Sequence, residues 1–559
     1  MIKYALLFVA LLFSSQICTA QDVDKILKER GEVYFSFELK PETNPGEQLA
    51  IIDGIISIDK VTTTKVLAYA NTKGFEQFQK LSYSIDVLTA PSMLLSQKEI
   101  DGSGSRVNWD YYPNYSEYID IMNQFVTDYP SLCELVNIGS TVEGRDLLFI
   151  HINNNLGTEA DEPEFMYTSS MHGDELTGYI LMLRLIEHLL ENYGTDERIA
   201  TLVNEIDIWI NPLANPDGTF AAGDQSVFGA TRFNANYIDL NRNYPDPEDG
   251  PHPDGNTYQD ETQAFMDFAD AHHFTLSANL HTGAEVVNYP WDTWAKLAAD
   301  DDWWYYISRQ YADTAHTFAP AGYLTDLNDG ITNGYAWYSI SGGRQDYMNY
   351  EKQCREFTLE LSSTKLPPPS QLPDFWEYNY RSLLSYLGQS LFGVRGLITD
   401  ANTGEAVHAE VFIESHDKDQ SQVFSSLQIG NYHRLLHSGT YSITYRAEGY
   451  EPFIVNNVVV ANDSTTIINV QLDSLVGIED ITPQTQVFIY PNPVEDIINI
   501  RLAEISKEIV LINSSGIAVS KIVPTSKNSQ LDVSRLSKGM YFLVIRFEEH
   551  TDYRKIIVQ

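Results

Sequence analysis

The stretch from Glu164 to Glu175, EFMYTSSMHGDE, places a histidine and a carboxylate three positions apart directly after an apolar, strand-like run. Imidazole nitrogen and carboxylate oxygen are both common zinc donors, so His172 and Glu175 could share one ion. The same spacing recurs at His188 and Glu191, inside a run whose apolar residues repeat with a helical period. The second pair is better interpreted as part of a solvated helix face. The first pair needs a third ligand, a base and a substrate clamp before it indicates catalysis.

Length and charge limit the class of protein. The chain has 559 residues, of which 43% are hydrophobic and 12% aromatic, enough for several globular units. Its formal charge is −41, from 36 basic and 77 acidic residues, which argues against nucleic acid or an anionic membrane as a partner. The composition leaves open whether the acidity attracts basic substrates or only maintains solubility.

The beginning of the chain has the pattern of a secretory signal peptide. Residues 1 to 20 combine Lys3, an apolar middle and Ala20, and we expect cleavage after Ala20. No later apolar run is long enough for a transmembrane helix. Cys133 and Cys354 would remain, and both are interpreted as structural because neither has the spacing of a thiolate metal site. Their separation leaves open whether they form a disulfide.

The order of apolar runs predicts several domains. Residues 21–105 form a small α/β unit with strand-like runs VYFSFEL, LAIIDGIISI and KVLAYA, and DGSGSR marks its boundary. In residues 106–392, strand and helix patterns alternate, which predicts an α/β domain with a mainly parallel mixed sheet flanked by helices. Short strands and turns predict two small all-β sandwich domains at 393–473 and 487–559, joined by a polar linker at 474–486.

The third metal ligand follows from the position of strands. Ligands of α/β sheets bind beyond the carboxyl ends of the strands, and His281 ends the run TLSANLH as His172 follows EFMYTS. Two histidines and Glu175 leave a fourth zinc position for water, the arrangement of a catalytic site with one zinc per domain. Glu360 in FTLELS is the predicted general base. Glu356 is its competitor, and an exposed edge-strand glutamate is the alternative interpretation of Glu360.

Arginines near the predicted cleft could bind anions. The run ATRFNANYIDLNRNYP contains Arg232 and Arg242, and Asn241 adds an amide donor. An arginine can stabilise an oxyanion or bind a carboxylate through two hydrogen bonds. The dipeptide alone is uninformative, because most such arginines only solvate a surface. Its position after the strand IDIWINP and the turn NPDG favours the functional interpretation.

Together these motifs carry a family resemblance. Residues from about 109 to 392 resemble zinc metallocarboxypeptidases of the carboxypeptidase A superfamily through EGRDL, HGDE, NPDG, RFNANYIDLNRNYP, LHTGAEVVNYPWD, GGRQDY and FTLELSSTKLPPPSQ. The resemblance implies a carboxypeptidase-like fold and a set of roles. The zinc ligands would be His172, Glu175 and His281, the base Glu360, the residue that polarises the scissile carbonyl Arg232, the clamp for the terminal carboxylate Asn241 and Arg242, the mobile tyrosine Tyr338, and an auxiliary subsite arginine Arg145.

Within the superfamily, the details resemble the branch of carboxypeptidases D, N and E. Asp292 in NYPWD and Gln345 in GGRQDY agree with this branch, which implies a preference for C-terminal Arg or Lys. A buried aspartate needs a partner, and a substrate guanidinium or ammonium would supply one. The alternative is that Asp292 caps a helix at DTWAKLAAD. Two positions depart from the pattern of the branch. Thr282 stands where the branch usually has a smaller residue, and Trp291 stands where it usually has tyrosine.

The remaining segments resemble accessory domains. Residues 393–473 resemble the transthyretin-like domain of that branch, and YPNPVEDIINI with LDVSRLSKGMYFLVI resembles the C-terminal sorting domain of type IX secretion. Residues 21–105 could be a prodomain, by analogy with digestive carboxypeptidases, or a permanent accessory domain. The resemblance therefore implies an exported zinc exopeptidase acting on peptide or protein C-termini and recognised by the secretion machinery. A peptidoglycan-directed carboxypeptidase and a noncatalytic surface binding protein are the alternatives.

Overall fold

The computed structural model describes residues 20–475 except 63, 103 and 159, and residues 487–559 except 495, 503, 514–517, 549 and 550. These residues form two compact units, one reaching Ser474 and the other starting at Leu475. The predicted signal peptide, up to residue 19, and residues 476–486 of the predicted linker lie outside the described residues. Among the described residues, no helix has both the length and the apolarity needed to cross a membrane.

The N-terminal unit is an antiparallel sheet covered by short helices. Its elements are α1 (Ala20–Arg30), β1 (Glu32–Glu38), α2 (Pro45–Asp53), β2 (Ser57–Val61), β3 (Lys65–Asn71), α3 (Thr72–Gln79), β4 (Ile85–Val87) and α4 (Gln97–Ile100). The sheet order is β2-β3-β1-β4.

The strand expected through LAIIDGIISI begins only at Ser57. Asn44 caps α2, Pro45 occupies its first turn, and the helix ends at Asp53 before Gly54. An Asn-Pro start followed by a glycine stop is a helix signal that outweighs the apolar character of the run.

The central domain has an eight-stranded mixed sheet. Its elements are α5 (Tyr115–Asp128), β5 (Cys133–Ser140), β6 (Asp146–Ile152), β7 (Glu164–Ser169), α6 (Thr177–Asn192), α7 (Glu197–Glu205), β8 (Asp207–Asn211), α8 (Pro216–Thr219), α9 (Asp260–Ala271), β9 (Phe274–His281), β10 (Glu285–Tyr289), α10 (Asp301–Phe318), α11 (Asp326–Gly330), β11 (Ile331–Asn333), α12 (Gly334–Trp337), α13 (Arg344–Glu351), β12 (Arg355–Leu361) and α14 (Leu372–Gln389). The sheet order is β11-β10-β12-β9-β7-β8-β6-β5.

The middle strands β12, β9, β7 and β8 are parallel, and the outer pairs β5·β6, β6·β8 and β10·β12 are antiparallel. Every residue of β9 is buried, as expected for a strand covered by helices on both faces. One apolar core contains residues of α5, α6, α7, α10 and α14, and a second contains residues of α9 and α13. This arrangement confirms the predicted helix-flanked, mainly parallel mixed sheet.

Two β-rich domains follow, as predicted. The first contains β13 (Gly393–Asp400), β14 (Glu410–Ile413), β15 (Val423–Phe424), β16 (Asn431–Arg434), β17 (Gly439–Arg446), β18 (Phe453–Val460), β19 (Thr465–Ile467) and β20 (Val470–Leu472). The second contains β21 (Phe488–Tyr490), β22 (Ile497–Arg501), β23 (Glu508–Asn513), β24 (Ala518–Ile522), β25 (Asn528–Asp532), β26 (Gly539–Arg546) and β27 (Thr551–Val558). Each domain divides its strands between two sheets. Cys133 and Cys354 are both buried and free.

A buried ion network joins the central domain to the first β domain. Asp300, at the N-terminus of α10, accepts hydrogen bonds from Arg355 at 2.6 Å and from Arg434 at 2.9 Å, and lies 2.8 Å from His416 Nε2. Burial would raise the pKa of Asp300, but the Arg434 and Arg355 guanidinium groups hold it well below its usual range. Leu435 belongs to the larger apolar core of the central domain.

Candidate active site

The predicted zinc ligands meet at the carboxyl ends of β7 and β9. The ligand atoms of His172, Glu175 and His281 all lie within 4.8 Å of one another, and all three residues are buried. The Nδ1 atoms of the two histidines are 3.1 Å apart, and the Glu175 carboxylate lies 3.0 Å from His172 and 2.9 Å from His281. Among the described residues, no other cluster of three or more His, Cys, Asp or Glu side chains has the geometry to hold a metal ion.

The surroundings of this group orient its donors. His172 Nε2 lies 3.0 Å from Asp239 Oδ1, and His281 Nε2 lies 2.8 Å from the Asn279 amide. Partners on the far ring nitrogen fix the imidazole that faces a metal. Burial would raise the pKa of Glu175, but the Lys365 ammonium and the two histidines hold it well below its usual range. An ionised carboxylate and two converging imidazole nitrogens are a suitable donor set for zinc.

Glu360 lies beside the metal group. Its strand, β12, pairs with β9 so that Glu360 is opposite His281, and β10 covers the other side, which rules out an edge strand. Its Oε2 is buried without a hydrogen-bond partner among the described residues. Burial, with the nearby Glu175 carboxylate, raises the pKa of Glu360 to about 8. Glu356 instead accepts hydrogen bonds from Ser277 at 2.7 Å and Arg344 at 3.1 Å, which leaves Glu360 as the base candidate in the cleft.

One cavity is lined by the metal group, by Glu360 and by the predicted arginine clamp, Asn241 and Arg242, with Arg232. Arg232 donates to Glu175 at 3.0 Å and to Asp239 at 3.3 Å, so it lies against the metal group. Arg242 follows Asn241 in a short turn that Asp239 caps by accepting from the Asn241 amide nitrogen at 2.9 Å. Asn241 in turn accepts from the Arg344 amide nitrogen at 3.0 Å. These hydrogen bonds fix the loop that carries the clamp.

An acidic pocket adjoins the clamp. Asp292 is 2% exposed and accepts from Asn288 Nδ2 at 3.0 Å. Burial raises the pKa of Asp292 to about 7. Burial and the nearby Asp292 charge together raise the pKa of Asp346 well above its usual range. The buried amide nitrogen of Gln345 lacks a hydrogen-bond partner among the described residues. Helix α10 begins at Asp301 with Asp300 as its N-cap, so the alternative of Asp292 as a helix cap is wrong.

Tyr338 and Arg145 differ in their placement. Tyr338 lines the cavity with Arg242 and Glu360, and it packs against the apolar core of the N-terminal unit. Arg145 is engaged by Asp217 at 2.6 Å, Glu143 at 2.8 Å and Asp224 at 2.8 Å. These three acidic partners of Arg145 are not among the other predicted site residues.

The N-terminal unit enters the cleft, which the sequence did not show. Asp53 accepts two hydrogen bonds from Arg242, at 2.8 and 3.0 Å. Ser57 accepts from Arg232 Nε at 2.6 Å and donates to Asp239 at 2.5 Å. Asp59 forms an ion pair of 2.7 Å with Lys365. The cavity left around the metal group has a volume of about 40 Å³.

Two further residues were missed by sequence reasoning. Lys365 lies in the run FTLELSSTKLPPPSQ, and its ammonium group is 2.5 Å from Glu175. Gly334 approaches the acidic pocket so closely that a Cβ there would lie 1.8 Å from Asp292 Oδ1. Neither residue has a sequence pattern of its own, because each matters only through what the fold places next to it.

The fold and the site together define a class. A two-histidine, one-glutamate metal group at the carboxyl edge of a mainly parallel sheet, facing a carboxylate and an arginine clamp, is the arrangement of a metal-dependent hydrolase that acts on chain ends. Comparison with known proteins identifies the family. Residues 118–382 match the family described as zinc carboxypeptidase. Rat carboxypeptidase N catalytic chain is 34% identical over 394 residues, covering 64% of this chain and 85% of that protein. The chain belongs to the zinc carboxypeptidase family.

Other relatives and a solved structure agree. Mouse carboxypeptidase M is 35% identical over 341 residues, covering 58% of this chain and 76% of that protein. Mouse carboxypeptidase D is 36% identical over 380 residues, covering 65% of this chain but only 27% of that protein, so the chain spans about a quarter of its length. The crystal structure of carboxypeptidase A from Helicoverpa armigera has a TM-score of 0.50 and 19% identity, covering 64% of this chain and 96% of that one, which confirms the fold.

The two β domains also match families. Residues 393–473 match the carboxypeptidase regulatory-like domain, and residues 488–559 match the secretion system C-terminal sorting domain. Both matches confirm the predicted resemblances. The sorting domain indicates that the protein is exported.

Proposed function

We propose that this protein is an exported zinc metallocarboxypeptidase that removes the last residue of peptides or proteins and prefers Arg or Lys at that position. The observation that supports it best is the composition of one cavity. The metal group, the Arg242 clamp, Glu360 and the buried Asp292 all line it. A substrate terminus held by Arg242 would place its last side chain near Asp292 and its last peptide bond near Glu360.

The residues divide the chemistry among them. Bound zinc supplies Lewis-acid polarisation and a water of lowered pKa. Glu360 takes a proton from the attacking water and passes it to the leaving amine. Arg232 stabilises negative charge on the scissile carbonyl oxygen, and Asn241 with Arg242 binds the terminal carboxylate. The clamp makes the enzyme an exopeptidase, because an internal peptide bond offers it no carboxylate.

Burial of Asp292 supports the basic preference. Taking a carboxylate out of water is costly unless a cation or hydrogen-bond donors compensate. Within the described residues, Asp292 accepts a side-chain hydrogen bond from the Asn288 amide and lies near the Arg242 charge, but two further carboxylates, Asp346 and Asp246, also lie near it. A substrate guanidinium would compensate these charges and reach the orphaned Asn288 Oδ1.

A series of peptides that differ only in the last residue tests the function. Zinc-loaded protein should release Arg and Lys faster than Phe or Leu, a chelator should stop the release, and Asp292→Asn should reduce the advantage of Arg. Efficient release of Phe without release of Arg would refute the preference for basic residues but would be consistent with a zinc carboxypeptidase. A faster release of diaminopimelate than of Arg or Lys would favour a peptidoglycan-directed carboxypeptidase. Stoichiometric zinc without release from any peptide, in protein freed of its N-terminal unit, would favour a noncatalytic binding protein.

We also propose that residues 21–105 act as a prodomain rather than as a neutral accessory domain. A cavity of about 40 Å³ has room for a few water molecules and none for an amino-acid residue. Asp53 occupies the terminal-carboxylate clamp. The full chain would therefore be latent.

Cleavage between the units tests the latency. Residues 101, 102, 107 and 108 are exposed, and Val107 is 91% exposed, so a protease could reach this connection. Protein cleaved within 101–108 and then separated from its N-terminal unit, here called nicked protein, should release Arg from a test peptide faster than the intact chain, and adding back the excised unit should suppress this release. Equal activity of intact and nicked protein would refute the prodomain and leave the carboxypeptidase activity in place.

The C-terminal domain supports a route of export. Its match to a secretion sorting domain favours the type IX machinery as its partner. Fusion of residues 487–559 to a periplasmic reporter should carry the reporter to the cell exterior only in a strain with that machinery.

A further inference from the structure

Asp59 of the N-terminal unit lies close to two positively charged side chains of the central domain, Lys365 and Arg232. Its Oδ1 is 2.7 Å from Lys365 Nζ and 4.0 Å from Arg232 Nη1. The Tyr69 ring, from the same unit, lies 5.6 Å from the Lys365 ammonium and 5.7 Å from the Arg232 guanidinium. Asp59 and the Tyr69 face thus add to the compensation that Glu175 and Asp239 of the central domain give these two buried positive charges.

Lys365 is held in place by its backbone. The Lys365 carbonyl oxygen accepts from the Leu176 amide at 3.1 Å and from Thr282 Oγ1 at 3.0 Å. Leu176 and Thr282 each directly follow a predicted metal ligand, Glu175 and His281. The side chain is 3% exposed in the full chain, where Asp59 and Tyr69 of the N-terminal unit lie against its ammonium group. The backbone of Lys365 is therefore held by the central domain, and within that domain its ammonium contacts Glu175.

The contacts also give the position of Lys365 along the cleft. Arg242 binds Asp53, Arg232 binds Ser57, and Lys365 binds Asp59, so the N-terminal unit passes from the clamp, past Arg232, to Lys365. A substrate with its terminal carboxylate on Arg242 would have its scissile bond at the metal group. Its penultimate residue would then lie beyond that group, on the side of Lys365.

The Asp59 side chain already fills a place beside Lys365 that a substrate side chain could take once the N-terminal unit is removed. A Cβ on Gly283 would lie 3.6 Å from both Asp59 Oδ1 and Lys365 Nζ, so the backbone after His281 borders the place that the Asp59 carboxylate occupies. Removal of the N-terminal unit would withdraw Asp59 and Tyr69 together. Lys365 would then retain Glu175, whose oxygens also serve the metal group, and the nearby charge of Asp174. An incompletely compensated buried cation favours an anionic partner.

We infer that Lys365, with Arg232 beside it, forms a second specificity subsite that binds an acidic side chain at the penultimate position of the substrate. Asp59 occupies this subsite in the full chain. The inference rests on the proposed carboxypeptidase function and deepens it. The preferred substrate end would be Glu or Asp followed by Arg or Lys. Lys365 itself is a specificity residue and takes no part in the proton transfers.

Acyl dipeptides ending in Arg, with Glu, Gln, Ala or Lys before it, test the inference. We expect zinc-loaded full-length protein, nicked within residues 101–108, to cleave the Glu peptide with a kcat/KM at least about tenfold above that of its Gln isostere, as one charge-assisted hydrogen bond predicts. Lys365→Met should bring this ratio close to one, and Lys365→Arg should keep it. Lys352→Met, which removes a lysine paired with Asp270 elsewhere on the domain, should not change it. Equal rates for Glu and Gln in the wild type, or a ratio that survives in Lys365→Met, would overturn the inference.

A binding measurement separates this inference from the function and from misfolding. In nicked Glu360→Gln protein with Lys365 intact, the Glu peptide should bind more tightly than the Gln peptide, and added salt should reduce the difference. The absence of a difference would overturn the subsite even if Lys365→Met fails to fold. If no peptide is hydrolysed by the wild type but the binding difference is present, the proposed function fails and the subsite stands.

Discussion

Substitution of Asp53 by Asn should convert the latent chain into a partly active one. Asp53 and Arg242 are joined by two hydrogen bonds, of 2.8 and 3.0 Å, and their side chains are only 6% and 8% exposed. A hydrogen bond to a charged group contributes about 1.5–3 kcal/mol, which corresponds to roughly 10- to 150-fold in the release of the N-terminal unit. Burial raises the pKa of Asp53 despite the nearby Arg242 charge, so part of the attraction is offset by desolvation. We therefore expect the lower end, about a tenfold gain.

The assay compares intact, zinc-loaded wild type, Asp53→Asn and Asp86→Asn on one peptide ending in Arg. Asp86 lies on β4 of the same unit and is exposed, so its substitution makes the same change in charge without touching the clamp. All three proteins should reach the same rate after nicking within 101–108. The reasoning would be refuted if Asp53→Asn stayed as silent as the wild type while both gained activity on nicking, because the clamp would then contribute nothing to latency.

Further expectations concern the site itself. Glu360→Gln should keep zinc, measured by metal analysis, and lose about 10²- to 10⁴-fold in kcat, because it removes the proton acceptor; unchanged turnover would exclude it as the base. The kcat/KM for Arg-ended peptides, relative to Leu-ended ones, should fall as the pH drops below about 7, because Asp292 is charged above its raised pKa of about 7 and neutral below it. A pH-independent ratio in nicked protein would contradict this. In Gly334→Ala the added methyl group would lie only 1.8 Å from Asp292 Oδ1, so the carboxylate must move. The kcat/KM for Arg-ended peptides should therefore fall more than that for Leu-ended peptides, and equal losses would indicate a general structural defect.

The metal group was predictable because it follows from local patterns. His172, Glu175 and His281 come directly after strand runs, and the rule that parallel strands present their carboxyl ends at one edge brings them together. Glu360 followed from the same rule. The continuous burial of β9 also has a signature in sequence, an apolar run without alternation.

Contacts between separate units lack such a signature. Asp53 ends a helix and Asp59 lies in a strand, and the sequence does not distinguish them from surface aspartates. Their partners, Arg242 and Lys365, are 189 and 306 positions away along the chain. Only the docking of two folded surfaces brings these charges together, so the occupied clamp could not be derived from periodicity or spacing.

The ion network at Asp300 bears on how the central domain and the first β domain unfold. Opening either domain alone would separate Asp300 from Arg434 and withdraw Leu435 from the core of its neighbour. Breaking a buried ion pair costs about 3–5 kcal/mol when one partner stays buried, a large part of the 5–15 kcal/mol that typically stabilises a domain. The strand pattern and the family matches divide the chain at residue 393. We nevertheless expect the central domain and the first β domain to unfold together in one cooperative transition. A catalytic fragment ending at residue 392 would lack part of what holds it together.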